Sequence, residues 1–188
     1  DAALPYIFAS SPTKLYDVGG NTGKWSLRCC RYDENVAVTI LDLPQQIALA
    51  QENIAKAGFS HRIAFHAVDM LSPATLPGDA DVWWMSQFLD CFSPDQIVAM
   101  LTRVAQVMKP GARLCIMELF WDAQKFEAAS FSLNATSLYF TCMANGNSRF
   151  YSVEKFYHYL ETAGFHVEQR HDNLGLGHTL LICQKNEH

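Results

Sequence analysis

A short apolar stretch that runs into a cluster of glycines, residues 15–23, constrains the fold of this chain most strongly. Its first half has the character of a buried strand and a helix-like pattern starts at Lys24, so the segment predicts a strand, a tight turn and a helix. A turn without side chains lets a ligand approach the main chain beside the free N–H groups of the helix. Asp42 ends the next predicted strand, where an acid can hold the hydroxyl groups of a nucleotide ribose.

Strand-like and helix-like segments alternate along most of the chain. Apolar or β-branched runs predict strands at 36–41, 62–68, 81–85 and 113–119, and amphipathic patterns predict helices at 24–32, 44–57 and 93–108. Farther on, the patterns indicate helices at 123–143 and 153–163 and strands at 165–170 and 179–184. This alternation predicts an α/β fold with a doubly wound, mainly parallel sheet.

The composition excludes several classes of protein. A chain of 188 residues that is 49% hydrophobic and 18% charged has the material for one globular domain with a full core. The net charge of −5 and the lack of a basic run argue against nucleic-acid binding, and no apolar run is long enough to predict a membrane span or a secretory signal. Neither the six cysteines nor the histidines and acids show metal-ligand spacing, so we expect a reducing, cytoplasmic setting and no metal.

The sequence Asp-Val-Gly-Gly-Asn-Thr-Gly at 17–23, with Leu-Asp-Leu-Pro at 41–44, resembles the S-adenosylmethionine site of class I methyltransferases, and more narrowly that of small-molecule O-methyltransferases. The family usually has glycine where Asn21 stands, and asparagine tolerates the positive φ of such a turn. The resemblance covers residues 15–184 and implies a Rossmann-like doubly wound sheet of seven strands, mostly parallel with one antiparallel strand near the C-terminus. A nicotinamide-nucleotide dehydrogenase and a purely structural glycine turn are the alternatives.

The resemblance also implies a set of contacts with S-adenosylmethionine, which leaves as S-adenosylhomocysteine. The glycine turn would wrap the methionine part, Asp42 would hold the ribose hydroxyls, and Asp69 would accept from the adenine amino group while Met70 packs on the ring. The alternative for Asp69 is a loop aspartate that caps the residues from Ser72 onwards. The expected cofactor-binding residues are Asp17, Gly19, Gly20, Asn21, Gly23, Asp42, Leu43, Asp69, Met70, Ser86 and Gln87.

The chain departs from the family where the proton acceptor is expected. The family's Leu-His-Asp-Trp is matched by a segment in which Asp90 occupies the histidine position and Phe92 the tryptophan position. Glu118 matches one of two glutamates that brace that histidine, and Ser148 replaces the other. Asp90 and Glu118 are therefore the expected catalytic residues. Either Asp90 has a raised pKa beside Glu118 and acts as general base, or it only orients the acceptor hydroxyl or caps the next helix.

Contacts with the methyl acceptor are expected from the variable region between 121 and 149. Its aromatic and polar side chains could line an apolar cavity, although each aromatic residue taken singly is more often part of the core. The expected contacts are Trp121, Asn134, Tyr139, Met143 and Arg149, with Phe131 and Phe140 beside them. The histidines, His178 included, receive no role.

The implied domain organisation has two parts. Residues 1–14 are expected to be a leading segment without an element of its own, left from an N-terminal helical dimerisation domain, and 15–188 the S-adenosylmethionine-binding catalytic domain. The implied activity is methyl transfer to a hydroxyl of a small aromatic or polyketide-like molecule, free or carrier-bound, by a full-length homodimer. Residues 84–93 also resemble a bacterial subgroup encoded beside aryl-polyene synthesis. A catalytically silent cofactor-binding homologue and a C- or N-methyltransferase are the further alternatives.

Overall fold

The computed structural model describes residues 1–143 and 146–186. The chain divides into two compact units. The first comprises Asp1–Met85 and Val107–Leu114, and the second comprises Ser86–Gln106 and Cys115–His188.

The strands form a seven-stranded sheet, as the sequence predicts. They are β1 (Lys14–Val18), β2 (Ala37–Asp42), β3 (Ile63–Ala67), β4 (Val82–Ser86), β5 (Arg113–Glu118), β6 (Phe165–Leu174) and β7 (His178–Lys185). Their order is β3-β2-β1-β4-β5-β7-β6. The pairs β1·β2, β1·β4 and β2·β3 are parallel and β6·β7 is antiparallel. The predicted α/β fold with a mostly parallel sheet and an antiparallel strand near the C-terminus is confirmed.

The helices are α1 (Leu4–Phe8), α2 (Lys24–Tyr32), α3 (Pro44–Lys56), α4 (Pro94–Val107), α5 (Glu127–Met143) and α6 (Val153–Thr162). The helices after α1 follow the predicted order, with shifts at their ends, whereas α1 was not predicted. Two 3₁₀ turns, Leu89–Cys91 and Trp121–Ala123, follow β4 and β5. The predicted helix at 123–143 starts only at Glu127, because the 3₁₀ turn ends at Ala123 and residues 124–126 are irregular.

Parallel register places three strand ends of the first unit side by side. Val18 is opposite Leu41, and Asp42 is opposite Ala67. Every residue of β1 after Lys14 is buried, as expected of a strand with neighbours on both sides. The glycine turn after β1 and the residues after β2 and β3 consequently lie along one edge of this unit.

The first residues of the chain differ from the expected leading segment. Residues 4–8 form the short helix α1, whose first turn contains Pro5, a favourable position for proline. Leu4 and Ile7 are buried. The Arg113 guanidinium donates to the Ile7 carbonyl at 2.7 Å and to the Ser10 hydroxyl, so a buried cation fixes the segment to the first unit.

At the amino ends of the strands in this unit, Asp81 joins three parts of the chain. One of its oxygens accepts the N–H groups of Thr13 and Lys14 at 2.8 and 2.9 Å, and the other accepts from Lys109 Nζ at 2.6 Å. Partial burial alone would raise the pKa of Asp81, but these hydrogen bonds hold it well below its ordinary value. The carboxylate therefore stabilises the folded state in its charged form.

Replacing Asp81 with alanine should lower the free energy of unfolding by about 2–4 kcal/mol at pH 7, because several partly buried donors lose their acceptor. Urea denaturation measures the change. The difference from the wild type should shrink as the pH falls below about 4, since the carboxylate contributes only while it is charged. Glu52→Ala, which removes an exposed ion pair with Lys56, is the control and should change stability by no more than about 0.5 kcal/mol. Equal effects of the two substitutions would refute this role of Asp81.

Candidate functional site

The glycine turn after β1 has the conformation that its residues predict. Gly19 and Gly23 adopt φ angles of 70° and 75°, and Asn21 adopts 48°. Asn21 thus occupies the left-handed region in place of the family's glycine, and the turn persists. A Cβ on Gly20 would lie 2.9 Å from the carboxyl carbon of Asp17, so only glycine fits where the loop crosses this acid.

Asp17 is a carboxylate buried beneath this turn. Its side chain accepts a 2.6 Å hydrogen bond from the Ser26 hydroxyl, and the residue is 3% exposed. Burial and, to a smaller extent, the negative charge of Asp42 raise the pKa of Asp17 to about 6. A cation bound at the turn would stabilise its charged form.

Asp42 connects the glycine turn with the end of β2. Its Oδ2 accepts the Asn21 N–H and its Oδ1 accepts the Leu43 N–H, both at 2.8 Å. Each oxygen of a carboxylate can accept a second hydrogen bond. Asp42 is half-buried and Leu43 is exposed, so the acid is both oriented by the backbone and open to a ligand.

Asp69 lies in the loop after β3, next to the end of β2. The adjacent Val68 donates its N–H to the Asp42 carbonyl at 2.9 Å. Asp69 Oδ1 accepts the Leu71 N–H at 2.8 Å, and its carbonyl accepts from Ser72. The local cap that competed with the adenine contact is thus present, while Met70 is buried. The cap uses one oxygen of an exposed carboxylate, so the two roles are compatible.

In the second unit, Glu118 and Asp90 form a coupled pair of carboxyl groups. Glu118 ends β5, is 2% exposed, and accepts the N–H groups of Phe88 and Leu89 at 3.0 Å through Oε1. Its Oε2 is buried without a hydrogen-bond partner among the described residues. Burial, and then the charge of Asp90, raise the pKa of Glu118 well above its ordinary value. Burial also raises the pKa of Asp90. The pair therefore retains a proton more readily than two separate carboxyls.

The backbone around Asp90 is fixed by its neighbours. The Arg149 N–H donates to the Asp90 carbonyl at 2.9 Å, and the Cys91 thiol donates to Asp90 Oδ1 at 3.5 Å. Burial, then the charge of Asp90, raise the pKa of this thiol to about 11, so it remains protonated and can act as a donor. Ser148, which replaces the second bracing glutamate, lies within hydrogen-bond reach of Cys91.

The structure contradicts the alternative in which Asp90 caps the next helix. Ser93 Oγ accepts the Gln96 N–H at 3.4 Å, and Gln96 Oε1 accepts the Ser93 N–H at 3.0 Å. This reciprocal pair is a capping box at the start of α4. The roles of Asp90 in orienting a hydroxyl or accepting its proton stay predictions.

Gln87 follows β4 directly and contacts a histidine that the sequence analysis left without a role. Ser86 ends β4 half-buried, and Gln87 is exposed with a φ of 47°. The Gln87 side chain lies 3.0 Å from Nε2 of His178, the first residue of β7. A histidine directly after a glycine-rich hairpin turn was the only signal in the sequence for this contact.

The expected acceptor contacts all belong to the second unit, on the second 3₁₀ turn, on α5 and in the segment before α6. Trp121 lies in the second 3₁₀ turn and donates its N–H to the Tyr151 carbonyl at 3.2 Å. Asn134 donates to the Ser130 carbonyl within α5, where Tyr139 and Met143 are 62% and 69% exposed. No residue of α5 is buried, so the alternative that its aromatic residues form the core is wrong.

One cavity, of about 370 Å³, lies elsewhere in the second unit. It contains none of the expected site residues and is lined by Pro94, Asp95, Val98, Ala99, His158, Tyr159 and Thr162. Within residues 1–143 and 146–186, no group of three or more metal-ligating side chains has the arrangement of a metal site. None of the helices in that part of the chain combines the length and apolarity that crossing a membrane requires.

Comparison with known proteins identifies the family to which the chain is similar. A family model described as an O-methyltransferase domain matches residues 4–166. The 3-hydroxy-5-methyl-1-naphthoate 3-O-methyltransferase of Streptomyces sahachiroi is 32% identical over 128 residues, which are 66% of this chain and 37% of that protein. The chain therefore spans little more than a third of the length of this curated relative.

Solved structures show the same fold. The mitomycin 7-O-methyltransferase MmcR superposes with a TM-score of 0.85 at 24% identity, over 98% of this chain and 51% of that one. The O-methyltransferase NcsB1, solved with S-adenosylmethionine and 2-hydroxy-5-methyl naphthoic acid, superposes with a TM-score of 0.79 at 20% identity, over 98% of this chain and 50% of that one. The chain spans about half the length of these proteins.

The buried acid under the glycine turn generates a stability prediction. Asp17→Asn should raise the free energy of unfolding at pH 8 by up to about 2–3 kcal/mol, because folding buries a carboxylate whose pKa of about 6 exceeds the ordinary value. Between pH 4 and 6 the folded wild type binds the extra proton, so its stability falls as the pH rises through this window. The advantage of the variant should disappear below about pH 4, where the Asp17 carboxyl of the wild type is protonated in both the folded and the unfolded state. Denaturation curves from pH 3.5 to 8 test this; a wild type that is more stable than the variant at pH 8 would contradict it.

Proposed function

The chain belongs to the O-methyltransferase domain family, and from this premise we propose that it transfers a methyl group from S-adenosylmethionine to a hydroxyl of a small aromatic or polyketide-like molecule. The observation that carries the proposal is the glycine turn joined to Asp42 by the Asn21 N–H. It combines open main-chain donors with an oriented carboxylate at neighbouring strand ends, which suits a nucleoside bearing an amino-acid group.

The residues of the first unit fit this cofactor chemically. Gly19 and Gly20 leave the main chain free of side chains, so its groups can meet the amino and carboxylate ends of the methionine part. Asp42 would hold the ribose hydroxyls, oriented by its two backbone donors, and Leu43 would lie beside the nucleoside. Asp69 would accept from the adenine amino group through the part of its carboxylate that the local cap leaves free, with Met70 against the ring. When bound, S-adenosylmethionine supplies a methyl group activated by its sulfonium centre.

We propose that Asp17 acts from beneath the turn. Its raised pKa reflects a buried charge without a cationic partner among the described residues, and a positively charged ligand at the turn would supply one. Asp17 can favour the binding of a positively charged cofactor through its own negative charge, without contacting the cofactor. It would also hold the turn in place through Ser26 and the close approach of Gly20.

For the acceptor, we propose that Asp90 takes the hydroxyl proton and that Glu118 tunes and positions it. Burial raises the pKa of both carboxyls, and that of the more deeply buried Glu118 more strongly, so we propose that Glu118 holds the proton that the pair retains while Asp90 is charged. A neutral Glu118 does not repel the Asp90 carboxylate. The raised pKa of Asp90 is closer to the pKa of an aromatic hydroxyl than that of an ordinary aspartate, which makes proton transfer less unfavourable. Alignment of the acceptor supplies much of the remaining rate.

The same substitutions support a second candidate, a homologue that binds the cofactor but is catalytically silent. The family's histidine and one bracing glutamate are both absent, with Asp90 and Ser148 in their places. This candidate predicts cofactor binding without turnover. It also predicts that Asp90 can be replaced without consequence.

The exposed side of α5 supports a proposal about the whole protein. Phe131, Leu138, Tyr139 and Met143 are between 62% and 75% exposed, more apolar surface than one helix ordinarily leaves to solvent. We propose that an N-terminal helical dimerisation domain, continuous with residues 1–14, covers this helix in a cytoplasmic homodimer. Trp121, Asn134 and Arg149 would then contact the acceptor together with the covered face of α5.

Replacing Asp42 with alanine should weaken binding of S-adenosylhomocysteine by about 1–3 kcal/mol, because the ribose hydroxyls lose a charged acceptor. Isothermal titration calorimetry measures the dissociation constant, and Glu34→Ala, an exposed acid after α2, is the matched control. A parallel titration with NAD separates the methyltransferase from a dehydrogenase. An unchanged dissociation constant in the variant would remove Asp42 from the cofactor site.

Replacing Asp90 with asparagine should lower kcat by roughly 10²–10⁴-fold while the affinity for S-adenosylhomocysteine stays the same, because the variant keeps the shape but cannot accept the proton. The assay follows methyl transfer to naphthols and hydroxynaphthoates. Asp95→Asn, an acid in the first turn of α4, controls for a general effect of charge. If the wild type binds the cofactor but methylates none of these compounds, the silent homologue is favoured; an active Asp90→Asn variant would end the role of Asp90 as base.

A further inference from the structure

Gln87 and His178 form a polar contact that the proposed function does not use. Gln87 directly follows β4, and His178 is the first residue of β7. Their side chains meet at 3.0 Å, from the Gln87 amide nitrogen to His178 Nε2. The Gln87 N–H also donates to the Met117 carbonyl at 3.0 Å, so its backbone is fixed to β5.

The hydrogen bonds of the ring determine which way the amide faces. His178 also forms a hydrogen bond with the backbone of Leu174. Because Nε2 of the ring contacts Gln87, this second bond is formed by Nδ1, which donates its N–H to the Leu174 carbonyl. In the neutral ring Nε2 is then an acceptor, which requires the amide nitrogen of Gln87, and not its oxygen, to face it. Half-burial lowers the pKa of His178, which keeps the ring neutral near pH 7. The amide retains one further N–H and its oxygen.

The backbone at Gln87 adopts a conformation that is uncommon for a residue other than glycine. Its φ of 47° lies in the region that favours glycine, and the residue is exposed. Non-glycine residues in such conformations occur preferentially where their side chains have a function. The strain here directs an amide toward His178 and away from the core.

The neighbours of Gln87 restrict what this amide can bind. Phe88, the next residue, donates its N–H to Glu118, and Asp90 follows in the same turn. An anionic group placed here would add to two carboxyls that already compete for a proton. A neutral hydrogen-bond acceptor meets no such repulsion.

We propose that Gln87, oriented by His178, donates its second amide N–H to a neutral carbonyl group of the methyl acceptor and thereby selects carbonyl-bearing aromatic hydroxyl compounds. The inference rests on the proposed function. It assigns Gln87 to the acceptor, whereas the resemblance implied a contact between Gln87 and the cofactor. His178 is a positioning residue, since it acts through the amide.

The test compares acceptors that differ only in the substituent. The initial rates of methyl transfer to phenol, the three hydroxyacetophenones and the three hydroxybenzoates give kcat and KM for the wild type and for Gln87→Gly, His178→Phe and His178→Gln. Gln87→Gly removes the amide and relieves the backbone, whereas His178→Gln places an oxygen acceptor where Nε2 lies. Calorimetry with S-adenosylhomocysteine and thermal melting accompany each variant.

The wild type is expected to prefer at least one hydroxyacetophenone over phenol and over the matching hydroxybenzoate. Gln87→Gly and His178→Phe should reduce this preference about tenfold, mainly through KM, and His178→Gln should restore most of it. The affinity for S-adenosylhomocysteine should stay the same in all variants, and Gln87→Gly should melt no lower than the wild type.

Three results would overturn the inference while leaving the proposed function intact. These are a wild type without preference for the carbonyl compounds, a proportional loss for all acceptors with a lower melting temperature, and weaker binding of S-adenosylhomocysteine by Gln87→Gly. The second result would show a structural link between strands, and the third a cofactor contact. A wild type that methylates none of the compounds would instead refute the proposed function, and the inference with it.

Discussion

The close passage of the glycine turn over a buried carboxylate is the constraint on which the first unit depends. A side chain at Gly20 would collide with Asp17, and the same approach removes Asp17 from water and raises its pKa. The Asn21 N–H then reaches Asp42, so one short turn connects the ends of β1 and β2. The geometry that gives a ligand access to the main chain is therefore the geometry that keeps an acid in an unfavourable environment. A cation bound there would relieve it, and this links the fold of the turn to the choice of ligand.

Burial also affects the charge of the two carboxyls of the second unit, Glu118 and Asp90. Glu118 accepts two backbone N–H groups through one oxygen, which fixes its orientation, while the other oxygen is buried without a partner in the described chain. A protonated Glu118 satisfies this environment better than a charged one. With a histidine at position 90 a second glutamate would be a favourable brace, but with an aspartate it would add repulsion. Serine at 148 avoids this and lies close to the thiol that donates to Asp90. The exchanges at 90 and 148 are thus electrostatically consistent with each other.

Elements in which apolar residues repeat regularly over their whole length were predictable from the sequence. Elements that depend on tertiary contacts were not. Buried strands such as β1 and amphipathic helices such as α4 carry their period in the sequence, and their predictions are confirmed with end shifts of one or two residues. The helix α1 is too short to show a period and depends on Arg113, which is distant in sequence. The predicted left-handed Asn21 followed from its place in a glycine motif. The same conformation at Gln87 lies in no such motif, so the sequence did not predict it.

Three unfavourable features of this chain lie near the ends of strands. Asp17, Glu118 and Gln87 each lie at or next to the end of a strand, and each is in an unfavourable state: a buried charge, a carboxyl oxygen without a hydrogen-bond partner among the described residues, and a backbone with a positive φ. Asp81 shows the contrast, since both of its carboxylate oxygens accept hydrogen bonds and its charge stabilises the fold. Residues that only support the structure are expected to resemble Asp81. Groups that resemble Asp17 cluster at sites where a ligand binds or a reaction occurs, and for this reason we propose these positions for the cofactor and the acceptor.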